Sequence, residues 1–222
     1  MKVPISTLIL DYDLYPRASV DSQHVSHLIE ALEAGTALPA IVVCKKTKKV
    51  VDGFHRIKAY LRVYGDNAEI DVRFKVYKGE KDLFVDAVRF NAAHGQALHR
   101  CDRVRCGQIA KRMRIGVDQI AEVLNIAIDQ YRQLLKERSA KSASTKEEVA
   151  LKNTIKHMAG QKLTKKQEEV NKKASGMNVS FHVNQIVMLM DAELIDLEDE
   201  KLIGNLESLR DALAVFLAEV RS

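Results

Sequence analysis

The sequence predicts an α+β domain followed by an all-α region and a C-terminal helical module. Within the first 95 residues, short apolar or alternating segments typical of strands are interspersed with amphipathic patterns typical of helices. From residue 98 onward, apolar side chains recur at helical spacing. We therefore expect three domains, at residues 1–95, 96–138 and 139–222.

The composition is that of a folded, soluble protein. Of the 222 residues, 46% are hydrophobic and 29% are charged, which provides enough apolar side chains for real cores. No apolar run reaches membrane length and no secretory segment follows Met1, so we expect a cytoplasmic protein without membrane association. The three cysteines lack metal-ligand spacing and are interpreted as reduced structural thiols.

Positive charge is concentrated in the middle of the chain. The net charge is +5, and residues 100–114 carry six basic side chains against Asp102 alone. From Asp191 onward, acidic residues outnumber basic ones. This distribution indicates a polyanionic partner for the middle segment, although a solvated helix face would have the same composition.

The elements of the N-terminal domain are predicted by caps, turns and periodicity. Pro4 lacks the N–H donor that a central strand needs, so the first strand is expected at a sheet edge. Asp21 is a typical helix cap, and glycine is typical of helix ends. The expected order is a strand within residues 1–10, a helix from Asp21 to Gly35, a hairpin of residues 40–44 and 50–51, a strand at 69–77 and a helix at 83–91.

The stretch from Val50 to Leu61 predicts a strand, a tight turn and a helix start. Gly53 permits the bend and a close approach of a ligand, while the free N–H groups and the helix dipole favour an anion. Arg56 and His55 add hydrogen-bond donors, and Arg56 is expected to be exposed. Such a turn suits a phosphate group, although a simple connection between strand and helix has the same pattern.

Three short segments resemble the ParB/sulfiredoxin superfamily. Tyr15-Pro16-Arg17 is similar to its Gln-Pro-Arg box, residues 52–59 to its phosphate box, and residues 90–94 to the Glu-Asn-x-x-Arg box of ParB. The resemblance covers about the first 100 residues and implies a ParB/sulfiredoxin-like domain that binds a nucleoside triphosphate, CTP or ATP, with Mg²⁺. The implied nucleotide-binding residues are Arg17, Gly53, Phe54, His55, Arg56, Asn91 and His94, with Asn91 also at the metal.

The third segment departs from the family pattern. Phe90 stands where the family has an acid and His94 where it has an arginine, so the resemblance implies binding more directly than hydrolysis, and weak NTPase (CTPase) activity stays open. The alternative function is a small-molecule phosphotransferase or NTPase of the same fold. It would need a carboxylate base, for which Asp52 and Glu30 are the candidates. The structural interpretation of Asp52 is a turn cap, and that of Glu30 is a residue on a helix surface.

Residues 96–138 predict a helix-turn-helix. Ala121 is small where two helices would cross, Ile126 would fill the turn, and Asp118 is expected to cap the first helix of the pair. A plain helical hairpin is the alternative. Amide and guanidinium groups match base edges and phosphate oxygens, so the region is expected to bind double-stranded DNA. The side chains expected at DNA are Arg103, Arg105, Gln119, Gln130, Arg132, Gln133 and Lys136.

The C-terminal part predicts a linker and a helical module. Residues 139–145 are small and polar, which is typical of a linker. The apolar stripe from Val183 to Leu217 predicts a local core, with a homodimer seam as the alternative. Helices are expected near residues 149–158, 164–173, 179–190 and 200–220.

Together these features predict a ParB-like DNA-binding protein of the partition or transcriptional-regulation type. The resemblance implies that a bound nucleotide closes two N-terminal domains on one another and so gates DNA binding. On this interpretation the protein is a homodimer associated with the nucleoid or a plasmid.

Overall fold

The computed structural model describes residues 1–93, 97–174 and 179–221. Two 3-10 turns occupy Ile5–Thr7 and Asn153–Met158. The strands are β1 (Lys2–Pro4), β2 (Ile41–Cys44), β3 (Val50–Asp52), β4 (Glu69–Lys75), β5 (Ser139–Lys141) and β6 (Glu148–Ala150). The helices are α1 (Ser22–Glu33), α2 (Phe54–Tyr64), α3 (Glu80–Ala93), α4 (Arg100–Arg112), α5 (Val117–Val123), α6 (Ile128–Glu137), α7 (Lys165–Lys173), α8 (Val179–Asp191) and α9 (Glu200–Arg221).

The first four strands form one mixed sheet in the order β1-β4-β2-β3. Strand β2 runs parallel to β4, with Val43 opposite Phe74, and antiparallel to β3. Strand β1 pairs antiparallel with β4 and carries Pro4 at the margin of the sheet, as predicted. The parallel pair requires a crossover, and β3 followed by α2 supplies it.

Helices cover both faces of this sheet. Alternation along β2 turns Ile41 and Val43 towards α2, where they pack with Phe54 and Ile57. Val42 and Cys44 point to the other face, as does Val51 of β3. Leu83 and Ala87 of α3 pack against these three side chains. Each fully buried aliphatic side chain contributes about 2 kcal/mol by this burial, so the sheet is held from both sides.

Helix α3 also belongs to a second core. Its side chains Phe84, Val85 and Val88 pack with buried residues of α4, α5 and α6, among them Ile109 and Tyr131. The expected boundary at residue 95 therefore follows a helix that serves two cores. Residues 1–176 form one compact unit of the chain.

The segment after α6 differs from the predicted linker and helix. Residues 139–141 pair with residues 148–150 as an antiparallel hairpin, and residues 153–158 form a 3-10 turn. Ala140, Leu151 and Leu163 are buried together, so this segment has its own small core. The prediction of a linker at 139–145 and a helix at 149–158 was wrong, because backbone pairing and this core stabilise an extended conformation there.

The second compact unit spans residues 177–222 and contains α8 and α9. No residue of α8 is buried, and apolar side chains of the stripe such as Val187 of α8 and Phe216 of α9 are exposed. The predicted local core is therefore restricted to half-buried side chains such as Ile186 and Leu202. Among the described residues, none of the helices combines the length and apolar character that crossing a bilayer requires.

Candidate functional site

The turn between β3 and α2 has the geometry that the sequence predicts. Gly53 precedes α2 with φ of 115°, a conformation that side-chain-bearing residues rarely adopt. A Cβ atom at Gly53 would lie 2.5 Å from Cδ1 of Ile41 and 3.3 Å from Nη2 of Arg56. Among the described residues, no side chain caps the N-terminus of α2. The first N–H groups of this helix and its positive dipole end thus remain available to an anion.

A cavity of about 580 Å³ opens beside this turn. Residues from the N-terminal loop, α1, the hairpin, α2, β4 and α3 line it. Its charged lining consists of the guanidinium groups of Arg17, Arg56 and Arg73 and the carboxylate of Asp52. The excess of positive charge at a helix N-terminus favours an anionic ligand.

Arg17 and Asn91 are joined inside the cavity wall. Nε of Arg17 donates to Oδ1 of Asn91 at 3.1 Å, and Nδ2 of Asn91 donates to the carbonyl of Ala87 at 2.9 Å. Both side chains are buried. The two boxes that the sequence singles out, 74 residues apart, are therefore in direct contact.

The described residues around Asn91 offer no cluster of carboxylate, thiol or imidazole metal ligands. The carboxamide oxygen of Asn91 already accepts from a cationic guanidinium, which is an unfavourable neighbour for Mg²⁺. The described residues contain no group of three or more histidine, cysteine, aspartate or glutamate side chains placed to bind a metal ion. The assignment of Asn91 as a metal ligand thus receives no support from the donor set. His94 lies outside the described residues.

The side chain of Arg56 is not exposed as predicted. It is 15% exposed and pairs with Asp52 at 2.6 Å, four residues before it. Its Nη1 donates to the carbonyls of Pro39 at 2.7 Å and Ala40 at 3.1 Å. These internal partners hold the guanidinium group against the rim of the cavity. Arg56 therefore contributes positive charge at a fixed position rather than an unoccupied fork of donors.

His55 acts as an acceptor, where the sequence suggested a donor. Its Nε2 accepts a hydrogen bond of 3.0 Å from the backbone N–H of Asp21, the residue that caps α1. Nε2 is consequently unprotonated. Burial, followed by the nearby ring of His24 at 4.9 Å, lowers the pKa of His55 to about 4. The neutral imidazole thus links the start of α2 to the start of α1.

Aromatic rings close the cavity beside the start of α2. The rings of Tyr15 and Phe54 stack 4.1 Å apart with an interplanar angle of 13°. Tyr12 meets Phe54 edge-on at 5.6 Å. Phe54 is buried and supports the turn through packing, and it also lines the cavity.

The two candidate carboxylate bases occupy different places. Asp52 lines the cavity but is paired with Arg56. Glu30 is exposed on α1 and is not among the described residues that line the cavity. The structure therefore brings one of the two candidates to the site, where its carboxylate is occupied by the ion pair with Arg56.

Sequence reasoning missed Arg73. It lies on β4 beside residues that alternate inward, and its guanidinium carbon lies 5.7 Å from the centroid of the Phe90 ring. It lines the same cavity as the start of α2. The alternation of Val72 and Phe74 already placed Arg73 on the opposite face of the sheet, but the cavity at that face depends on where α3 packs.

Helices α5 and α6 form a compact pair joined by a short turn. Ala121 is buried in the core that α5 and α6 share with α3 and α4, and Asn125 in the turn has φ of 52°. Gly116 caps α5, whereas the expected cap Asp118 lies within its first turn. Ala127 precedes α6 without a side-chain cap. Tyr131 on α6 is fully buried and donates to the carbonyl of Arg103 at 2.8 Å, which fixes α6 against α4.

The outer face of this pair is polar. Arg132 forms an exposed pair with Asp129 at 3.4 Å, and the amide of Gln133 donates to Glu137 at 2.8 Å. An exposed pair of this kind is worth about 0–1 kcal/mol, so it exchanges readily for another anion. The exposed side chains expected at DNA are Gln119, Gln130, Arg132, Gln133 and Lys136.

Two other expected DNA contacts are used within the protein. Arg105 donates from Nε to the carbonyl of Tyr15 at 3.1 Å and from Nη2 to the carbonyl of Tyr12 at 2.7 Å. Arg103 donates from Nε to the carbonyl of Leu98 at 3.1 Å. Both side chains are half-buried, and Arg105 connects α4 to the loop that carries Tyr15. Contacts of Arg103 and Arg105 with DNA, which stay predictions, would compete with these internal hydrogen bonds.

No protein-family profile matches the chain. Two curated relatives match by sequence. A possible regulatory protein of the streptomycin biosynthesis operon of Streptomyces griseus is 37% identical over 105 residues, which are 46% of this chain and 29% of that protein. The transcriptional regulator NovG of Streptomyces niveus is 40% identical over 97 residues, or 44% of this chain and 28% of that protein. The chain thus matches less than a third of the length of either relative.

Solved structures similar to this chain include ParB proteins. C-terminally truncated ParB of Caulobacter crescentus bound to the centromeric parS site has a TM-score of 0.44 and 13% identity, covering 61% of this chain and 70% of that one. The same protein with CTP-γ-S has a TM-score of 0.36 and 13% identity, covering 61% and 76%. TM-scores below 0.5 do not define a common fold, so these structures assign no role to residues of this chain.

Proposed function

We propose that this chain is a ParB-like DNA-binding protein of the regulatory type, which reads DNA with the helix pair α5–α6. The observation that carries the proposal is the polar outer face of α6, held rigidly by the buried ring of Tyr131. A recognition helix needs exposed amide and cationic groups on a fixed support. The regulatory names of the Streptomyces relatives support the same class of function.

The salt dependence of DNA binding tests this proposal. We expect a labelled duplex of mixed sequence to bind with an affinity that falls as salt rises, because phosphate contacts release counterions. Replacing Arg132 and Lys136 together with alanine should weaken binding and reduce the slope by about one unit for each phosphate group that the variant no longer neutralises. Replacing the exposed Arg62 of α2 and the exposed Lys81 of α3 together with alanine is the charge-matched control. An unchanged slope in the double variant would contradict the assignment of α6.

The cavity beside Gly53 is proposed to bind a nucleoside triphosphate. The uncapped N-terminus of α2, the buried Arg17 and the exposed Arg73 supply positive potential for phosphate groups. The ParB structure with CTP-γ-S makes CTP the first nucleotide to test. Magnesium would arrive coordinated by the phosphates, because Mg²⁺ commonly uses substrate phosphates and few protein ligands.

Nucleotide binding is proposed to be coupled to DNA binding. Arg105 on α4 donates to the carbonyl of Tyr15, two residues from the cavity residue Arg17. Asp102, also on α4, accepts from the backbone N–H of Ala18 at 2.8 Å. A ligand that reorders this loop therefore acts directly on the helix that supports α6. Such coupling requires that the ligand bind one arrangement of the loop better than another.

A homodimer is proposed through the C-terminal unit. The apolar side chains of α8 and α9 that remain exposed include Val187, Met190, Leu213 and Phe216. Exposed apolar faces of this kind commonly mark association surfaces.

No observation supports the phosphotransferase alternative. Asp52 is paired with Arg56, and Glu30 is exposed on α1.

A further inference from the structure

The hydroxyl group of Tyr15 is buried without a partner. Tyr15 is 3% exposed, and among the described residues its hydroxyl oxygen has no hydrogen-bond partner. Its ring is fixed by stacking on Phe54, the first residue of α2, and it lines the cavity beside Gly53. Buried polar groups in folded proteins are nearly always hydrogen-bonded, so an exception in a cavity wall points to a missing ligand.

The surroundings of Tyr15 define what kind of group could satisfy it. Burial raises the pKa of the phenol, so the group keeps its proton and is available as a donor. Arg17 and Arg73 line the same cavity, and the N-terminus of α2 begins at the residue on which Tyr15 stacks. The partner of a donor in this setting is an acceptor that also carries negative charge.

We propose that Tyr15 is a specificity-determining residue of the cavity, where its hydroxyl donates a hydrogen bond to a phosphate oxygen of the bound ligand. The inference rests on the proposed nucleotide-binding function and names a contact within that site. Phenylalanine at this position would keep the stack on Phe54 and lose only the donor. The resemblance places glutamine at the corresponding position of the family box, so the phenol is a feature of this chain.

The proposal predicts opposite effects of Tyr15→Phe on stability and on binding. The ligand-free variant should unfold at a higher temperature than the wild-type chain, because an unsatisfied buried hydroxyl is removed without a change in shape. Its affinity for the ligand should fall by about 10- to 100-fold, the loss expected for a hydrogen bond to a charged group. A residue with a purely structural role would change stability alone.

The experiment is calorimetric titration of the full chain with CTP and, separately, with inorganic tripolyphosphate, both with Mg²⁺. Tyr12→Phe is the matched control, because Tyr12 belongs to the same aromatic cluster but is 45% exposed. We expect Tyr15→Phe to lower the affinity for both probes by the same factor. Tyr12→Phe should lower the affinity for neither.

Two results would overturn the inference while leaving the proposed function in place. One is wild-type affinity of Tyr15→Phe for both probes, and the other is a loss for CTP alone, which would assign the hydroxyl to the sugar or base. If the wild-type chain binds neither probe, the proposed nucleotide site fails together with the inference. Heat-induced unfolding of each variant, followed by circular dichroism, provides the stability readout.

Discussion

The imidazole of His55 accepts a hydrogen bond from the backbone N–H of Asp21 across 3.0 Å, and this bond ties the starts of α1 and α2 together. The side chain of Asp21 caps α1 by accepting from the N–H groups of Gln23 and His24. One neutral histidine therefore holds two helix starts at the edge of the cavity. Protonation of Nε2 would replace the acceptor by a donor that faces another donor.

The first prediction concerns the stability of the chain in mild acid. The pKa of His55 is about 4 in the folded protein, below the ordinary value of 6.5. A depressed histidine pKa contributes stability that is complete above pH 6.5 and is lost as the pH falls towards 4. The free energy of unfolding should therefore drop by about 1–2 kcal/mol across this interval, since solvent at the partly exposed ring screens part of the effect, as measured by urea denaturation.

His55→Gln tests the origin of that acid sensitivity. Glutamine can still present an acceptor but does not titrate, so the drop between pH 6.5 and 4 should become smaller. His27→Gln is the control, because His27 is an exposed histidine of α1. This variant should keep the wild-type dependence of stability on pH. Equal profiles for His55→Gln and the wild-type chain would show that another group causes the sensitivity.

A second prediction concerns the turn at Gly53. Alanine there combines a strained φ of 115° with a Cβ atom 2.5 Å from Ile41, so Gly53→Ala should cost about 2–5 kcal/mol of unfolding free energy. Gly35→Ala is the matched control, since φ is 78° but no atom lies within 4 Å of the added Cβ. It should cost about 1–2 kcal/mol. Equal costs in denaturant titrations would mean that the close approach to Ile41 is unimportant.

A third prediction concerns Arg73, which was not expected from the sequence. Its side chain is exposed on β4 and lines the cavity, so Arg73→Ala should leave the fold intact. We expect the affinity for a triphosphate with Mg²⁺ to fall about tenfold, the loss of one charged hydrogen bond. Arg62→Ala removes an equal charge from the far end of α2 and should change this affinity little. If both variants bind alike, Arg73 does not contact the ligand.

A fourth prediction concerns the loop between β5 and β6. The carboxylate of Glu168 accepts from the N–H groups of Ala143 and Ser144 and from the hydroxyl of Ser144, at 2.7 Å for the last contact. Hydrogen bonds from Ser144 and Ser142 lower the pKa of Glu168 to about 2. The stabilisation is present above the ordinary value of 4.5 and is lost as the pH falls towards 2.

Glu168→Gln should therefore lower the midpoint of thermal unfolding at neutral pH and make this loop more sensitive to limited proteolysis. Glu169→Gln is the control, because the neighbouring carboxylate is exposed. A loop equally resistant in both variants would mean that the backbone pairing of β5 with β6 alone holds it.

The N-terminal fold was predictable because local signals agreed with tertiary packing. Asp21 caps α1, the alternation along β4 matches its burial, and Gly53 begins α2 with positive φ. The three cysteines are free thiols, as expected. Each of these features depends on residues close together in the sequence, where caps and periodicity operate.

The errors arose where distant residues decide the outcome. The partner of Arg105 lies 90 residues earlier in the chain, and the loop at residues 142–145 is ordered by Glu168. The small polar residues at 139–145 therefore predicted a linker, although the buried carboxylate of Glu168 holds part of this segment in place. The ion pair of Arg56 with Asp52 is different, since its four-residue spacing at a helix start was visible in the sequence.

The central claim is a nucleotide site coupled to DNA binding, and calorimetry with the four ribonucleoside triphosphates tests it most directly. Each nucleotide would be titrated with Mg²⁺ into the full chain, with and without duplex DNA of mixed sequence. We predict that one nucleotide binds and that DNA changes its affinity, because coupling between two sites is reciprocal. The absence of nucleotide binding under both conditions would contradict the account and leave the cavity beside Gly53 without its proposed ligand.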